Sequence, residues 1–132
     1  MNYLKIFLIA LPIFLLLDAL WLGLVARGLY QKNIGFLLGP VNWTVALIFY
    51  LIFVAALVFL VIHPAIVARA PVQLLVSALV FGLATYAAYD LTNLATINNW
   101  PLSISLIDIA WGMFISAATS ISTYYIFINF FA

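Results

Sequence analysis

Residues 102–130 read LSISLIDIAWGMFISAATSISTYYIFINF, 29 positions in which Asp108 is the one charged side chain. A helix needs ~20 mostly apolar residues to cross the ~30 Å hydrocarbon core of a bilayer. This run is long enough to cross it and too apolar to lie in water. Working back along the chain, three more such runs appear, over residues 72–95, 42–62 and 4–26. The breaks between them carry their own signals. Asn98-Asn99-Trp100-Pro101 is a tight turn, Arg69-Ala70-Pro71 is a loop whose proline suits a helix start, and His63-Pro64 closes the second run. Residues 27–40 are expected to form a polar loop and then an interfacial turn, because Gly28, Gly35, Gly39 and Pro40 break a helix. The expected fold is all-α: one integral membrane four-helix bundle over residues 1–132, with both termini on the same side.

Composition leads to the same class. The chain is 70% hydrophobic and 5% charged, with a mean hydropathy of +1.35, whereas soluble domains carry about 25% charged residues. The first apolar run is too long for a signal-peptide core and lacks a small-residue cleavage site, so it is expected to remain as a span. The absence of cysteine excludes disulfides, thiolate catalysis and thiolate metal ligation. Four scattered basic residues make no phosphate-binding patch, so no nucleic-acid partner is expected. With the N-terminus inside, Lys5 and Arg69 would be cytoplasmic and Arg27 and Lys32 external, so the positive-inside rule gives a tie. The lipid bilayer is the one partner the composition requires.

Asp18, Asp90 and Asp108 are the only acidic residues, and all three lie within apolar runs. A charged side chain at a helix centre costs about 2.5–3.5 kcal/mol on insertion scales, so such groups normally face a bundle interior or a wet cavity. Depth groups them further. Asp18 lies eight residues before the end of its run, about 12 Å at 1.5 Å per residue. Asp90 lies five before the end of the third run, and Asp108 six after the start of the fourth. In an alternating bundle these positions share one half of the bilayer, and Asn42 and Asn93 fall in that half too.

Helix faces add neighbours. Gly82, Tyr86, Asp90 and Asn93 follow helical spacing on one stripe of the third run. Ser105, Asp108, Gly112, Ser116, Thr119 and Thr123 form a stripe of small and hydroxyl residues on the fourth, suited to close packing and to hydrogen bonds across the contact. Asp18 and Asp108 each stand three residues before a tryptophan, Trp21 and Trp111. That spacing brings an indole N–H near the carboxylate of its own helix, and a buried indole needs an acceptor. Tyr30 and Tyr50 read as ordinary belt and packing residues. Trp43, Trp100, Tyr124 and Tyr125 fall near run ends, where amphipathic rings favour the interface. His63 reads as an interfacial helix cap.

Three readings of the carboxylates are open. They form a structural hydrogen-bond network that locks the bundle or an oligomer. Alternatively they handle protons or bind a small cationic or polar ligand, since clustered carboxylates repel and favour a bound proton or cation. Or they serve a membrane-embedded enzyme as acid, base or Mg²⁺ ligands, a reading weakened by the lack of a nearby histidine or a nucleophile motif. The second reading is carried forward, with Asp18, Asp90, Asn93, Asp108, Tyr86, Trp21, Trp111 and Asn42 as candidate ligand or proton-binding residues. No catalytic residue, metal ligand or cofactor is assigned, and no lysine lies in the interior of a span for a Schiff base. If transport occurs, a homo-oligomer is expected, because so small a bundle is too thin to enclose a wide pore.

The segments Asp18-Ala19-Leu20-Trp21-Leu22-Gly23, Tyr86-Ala87-Ala88-Tyr89-Asp90-Leu91-Thr92-Asn93-Leu94-Ala95-Thr96 and Asp108-Ile109-Ala110-Trp111-Gly112 resemble the bacterial family known as domain of unknown function 2177. The resemblance covers nearly the whole chain. It implies a small bacterial inner-membrane protein and carries no activity with it.

Overall fold

The structure, a computed structural model, describes residues 2–132. Four long helices account for nearly all of it: α1 (Tyr3–Leu37), α2 (Trp43–Ala68), α3 (Pro71–Thr96) and α4 (Leu102–Phe130). No strand occurs among the described residues. Each helix is long and apolar enough to cross a membrane. Large apolar side chains such as Leu24, Val72 and Phe130 stand exposed, as expected where the surrounding solvent is lipid. Two connections each contain one left-handed residue: Arg69 (φ 53°), which caps the end of α2, and Asn99 (φ 64°), within the turn between α3 and α4.

The α4 helix is the axis of the bundle. It packs most extensively on α3, next on α1, and on the C-terminal half of α2. Its contact face is the small-residue stripe: Ser105, Gly112, Ser116, Thr119 and Thr123 are buried, and Asp108 is half-buried. Ser105 donates to the Asp90 carbonyl oxygen on α3 at 3.0 Å. The hydroxyls of Ser116, Thr119, Ser120 and Thr123 have no partner, contrary to the expectation of hydrogen bonds across the contact. Their small size is what the interface uses. The closest approach is at Gly82 of α3, where an added Cβ would collide with the backbone of Gly112 and Met113. The Tyr86 ring lies over Gly112, in the space a side chain there would take.

Two helices run further than the breakers indicated. α1 continues through residues 27–34, which were expected to be a loop, and closes with a single 3₁₀ turn at Gly35–Leu37. α2 continues through His63 and Pro64 to Ala68. Each contains one wide π turn, Trp21–Ala26 and Val58–Ile62. The second has a clear cause. Pro64 lacks an N–H and its ring crowds the carbonyl four residues back; in the widened turn the His63 N–H reaches Val58 instead, five residues back. His63 therefore sits inside a helix, stacked on Tyr3 with ring centroids 4.0 Å apart, and does not act as a cap. Trp100 and Tyr124, expected at the interface, are both buried, whereas Trp43 and Tyr125 are exposed.

The Gly82 contact sets a measurable asymmetry. Gly82→Ala forces two backbones apart and is expected to lower stability in detergent by about 1–3 kcal/mol. Gly28→Ala meets nothing within 4 Å and should raise it by about 0.5–1 kcal/mol. Equal unfolding temperatures for the two variants would contradict the close approach.

Candidate functional site

Each aspartate is held differently. Asp18 on α1, 8% exposed, accepts a hydrogen bond from the Tyr50 hydroxyl of α2 at 2.6 Å and another from the Trp111 indole N–H of α4 at 3.3 Å. One carboxylate thus ties three helices together. Asp108 on α4 accepts from the Tyr30 hydroxyl of α1 at 2.7 Å, through Oδ1 alone. Asp90 on α3 is fully buried, and neither carboxyl oxygen meets a protein donor. Ser105 of α4 reaches the Asp90 backbone, and Asp108 stands three residues further along the same helix, which brings the two carboxyl groups into one neighbourhood. No bond to any aspartate comes from Arg27 or Lys32.

The indoles are arranged differently from the expected pairing. Trp111 donates to Asp18 on another helix rather than to Asp108 on its own. Trp21 lies flat against Trp111, with centroids 4.5 Å apart and planes 6° apart. The two tryptophans form a stacked wall beside Asp18 rather than two separate indole–carboxylate pairs.

Two adjoining cavities open beside these groups. The larger, about 290 Å³, is lined by Phe49, Thr85, Tyr86, Tyr89 and Asp108. The smaller, about 160 Å³, has Asp18, Trp21, Tyr30, Tyr50 and Trp111 on its walls. Phe49, Tyr86 and Asp108 line both. Of the residues singled out from sequence, Asp18, Trp21, Tyr86, Asp108 and Trp111 meet at these cavities, and Asp90 stands next to Asp108. Asn93 is half-buried and lines neither. Asn42 is elsewhere in role as well as place: it caps α2, its side-chain oxygen accepting from the Val45 N–H at 3.2 Å. The three carboxylates do not converge on a common point, and among the described residues no set of three acidic, histidine or cysteine groups is placed to hold a metal ion.

Residues 3–125 match the family described as a predicted membrane protein, domain of unknown function 2177. The chain belongs to that family. It is a multi-pass membrane protein in contact with lipid, as the resemblance in its three aspartate segments implied. Neither the curated proteins nor the solved structures contain a match.

The two tyrosines missed by sequence reasoning are the principal donors of the site. Tyr30 was hidden by the period of the α-helix. At 3.6 residues per turn, the twelve residues from Asp18 to Tyr30 would leave the two about 120° apart around the axis. The wide turn at Trp21–Ala26 advances each of its six residues by roughly 80° in place of 100°, which returns nearly all of that rotation. Asp18 and Tyr30 thereby face the same cavity. For Tyr50 a usable signal existed, since a phenol within an apolar run needs an acceptor and the chain has few to offer.

Polar contacts in membranes average about 0.6 kcal/mol and reach about 1.7. Tyr50→Phe and Trp111→Phe should each lower stability within that range, as measured by unfolding in detergent. In an Asp18→Asn background the Tyr50→Phe effect should shrink. An undiminished effect there would break the assignment of Asp18 as the acceptor.

Proposed function

We propose that Asp90 and Asp108 form a site that takes up a proton or a small cation within the membrane, and that Asp18 serves as a structural tie. The observation that carries this reading is the Asp90 carboxyl, fully buried without a donor, on a helix whose contact with α4 at Ser105 brings Asp108 near it. Magnitudes separate the roles. Two hydrogen bonds at Asp18 contribute roughly 1–3 kcal/mol together, similar to the ~2.5–3.5 kcal/mol cost of a charge at that depth. Asp90 has no such offset, and Asp108 has one bond. Two carboxylates at close range repel in a low dielectric, so the pair needs positive charge that this chain's own side chains do not bring to it. Opening of the adjoining cavity at Asp108 makes that charge exchangeable.

Asp108 and Asp90 act as the acceptors in this reading. Tyr30 orients one Asp108 oxygen and leaves the other for the ligand, and Tyr86 separates and lines both cavities. The proposed setting is the bacterial inner membrane. Passage of the ligand across the bilayer would require a second copy, because a single bundle of this size encloses no continuous pore. A structural role for the whole cluster is the competing reading, and it rests on the three-helix tie at Asp18.

Two measurements decide between them. In infrared spectra the wild type should show the carbonyl stretch of a protonated carboxyl group, removed by Asp90→Asn or displaced by bound cation. In thermal scans from pH 4 to 9 with Mg²⁺, Ca²⁺ or tetramethylammonium, at least one cation should raise the unfolding temperature of wild type and not of Asp108→Asn. Binding to the native state alone stabilises by about 2.7 kcal/mol at a hundred times Kd. Absence of both signals, with variants differing only in stability, would leave the aspartates as structural ties.

A further inference from the structure

We infer that the larger cavity is a side entrance from the lipid phase, and that its occupant is an amphiphilic cation with an ammonium head at Asp108 and an alkyl tail in the cleft between α2 and α3. This rests on the reading of Asp90 and Asp108 as a cation-accepting pair, and adds the class of ligand and its route.

The cleft follows from how α2 packs. α2 meets α3 chiefly through its Val58–Ile62 turn, while its N-terminal half leans on α1. Phe53 of α2 meets Phe81 and Tyr86 of α3, with ring centroids 5.2 Å and 5.9 Å apart. Beyond them the gap is flanked by Phe49 of α2 and Tyr89 of α3, 47% and 58% exposed on the membrane-facing surface. Behind these rings the cavity extends inward to Asp108. An apolar mouth facing lipid and a carboxylate at the inner end match a molecule with an apolar tail and a positive head.

The walls select the head. Three aromatic rings, Phe49, Tyr86 and Tyr89, border the cavity, and ring faces attract an ammonium group electrostatically. Asp108 offers an oxygen that Tyr30 does not take, and the buried, unpartnered Asp90 carboxyl adds negative charge nearby once a bound cation displaces its proton. An anionic head is rejected by both carboxylates. A neutral alcohol finds an acceptor there but leaves their charge uncompensated. The volume of about 290 Å³ holds roughly ten waters at ~30 Å³ each, which is room for an ammonium head and several methylenes, with the rest of the tail in lipid.

The test uses the full chain in lipid nanodiscs, titrated with decyltrimethylammonium, decanol and decyl sulfate at matched mole fraction and followed by tryptophan fluorescence. The cation should bind saturably, and the alcohol and the sulfate at least about tenfold more weakly. Asp108→Asn should bring the cation to the level of decanol. Thr85→Met fills the cavity without touching a carboxylate; it should weaken decyltrimethylammonium about tenfold and spare the response to tetramethylammonium. Decanol binding as well as the cation would reduce the cavity to a plain lipid cleft. Indifference of decyltrimethylammonium to Thr85→Met would remove the side entrance, and failure of all three amphiphiles would overturn the inference outright. The infrared band of the Asp90–Asp108 pair is read separately, so the proton or small-cation site can stand when the amphiphile fails.

Discussion

Three carboxylates sit inside this bundle with no basic side chain bonded to them, and the arrangement of the helices around them answers that constraint. Hydrocarbon supplies no hydrogen bonds, so an ionisable group at that depth is costly unless it finds a partner within the protein or from a ligand. The chain answers with aromatic donors. A phenol from α2 and an indole from α4 converge on Asp18, and a phenol from α1 reaches Asp108. Aromatic donors suit this setting because their bodies are apolar and only the tip needs an acceptor. The result is graded, from Asp18 with two donors through Asp108 with one to Asp90 with none, and the gradient separates fastening from function within one small cluster.

The position of that cluster depends on packing elsewhere. α3 and α4 come together at Gly82 and Gly112, where the absence of side chains lets the backbones approach and leaves a seat for the Tyr86 ring. From this contact the two helices carry Asp90 and Asp108 to adjacent positions a few turns away. On the same side, the Trp100 indole donates to Ser105, which donates in turn to the Asp90 carbonyl, fixing the backbone beneath the buried carboxyl. Small residues and a short polar chain thus preorganise two like charges that would otherwise move apart.

The parts of this design governed by average chemistry were legible in the sequence. Four spans followed from hydropathy and length, and the burial of the small-residue stripe on α4 followed from its spacing. The parts governed by departures from regular geometry were not. The wide turn in α1 changes which residues share a face, so under regular helix geometry Tyr30 reads as a belt residue and residues 27–34 as a loop. In α2 the same kind of turn carries the helix through Pro64, which had read as its end. The D-x-x-W spacing was real, yet its local reading failed for Trp111, because an acceptor on a neighbouring helix lay in reach. Asn42 shows the reverse case: its depth fitted the site, but the helix start at Trp43 claimed its side chain as a cap.

The wide turn in α1 also has a genetic consequence. A π turn holds one residue more than the α-helical turn it replaces, so the segment Trp21–Ala26 is a single-codon surplus written into an otherwise regular helix. Loss of any one codon there would leave an unbroken α-helix of good hydropathy, indistinguishable by composition from the original. Eleven regular steps of 100° would then separate Asp18 from Tyr30, which keeps Tyr30 within about 20° of its present face. An in-frame deletion that no hydropathy profile would register would therefore straighten α1 while leaving both the site and the four spans intact, whereas regularising the turn at constant length would carry Tyr30 about 120° away.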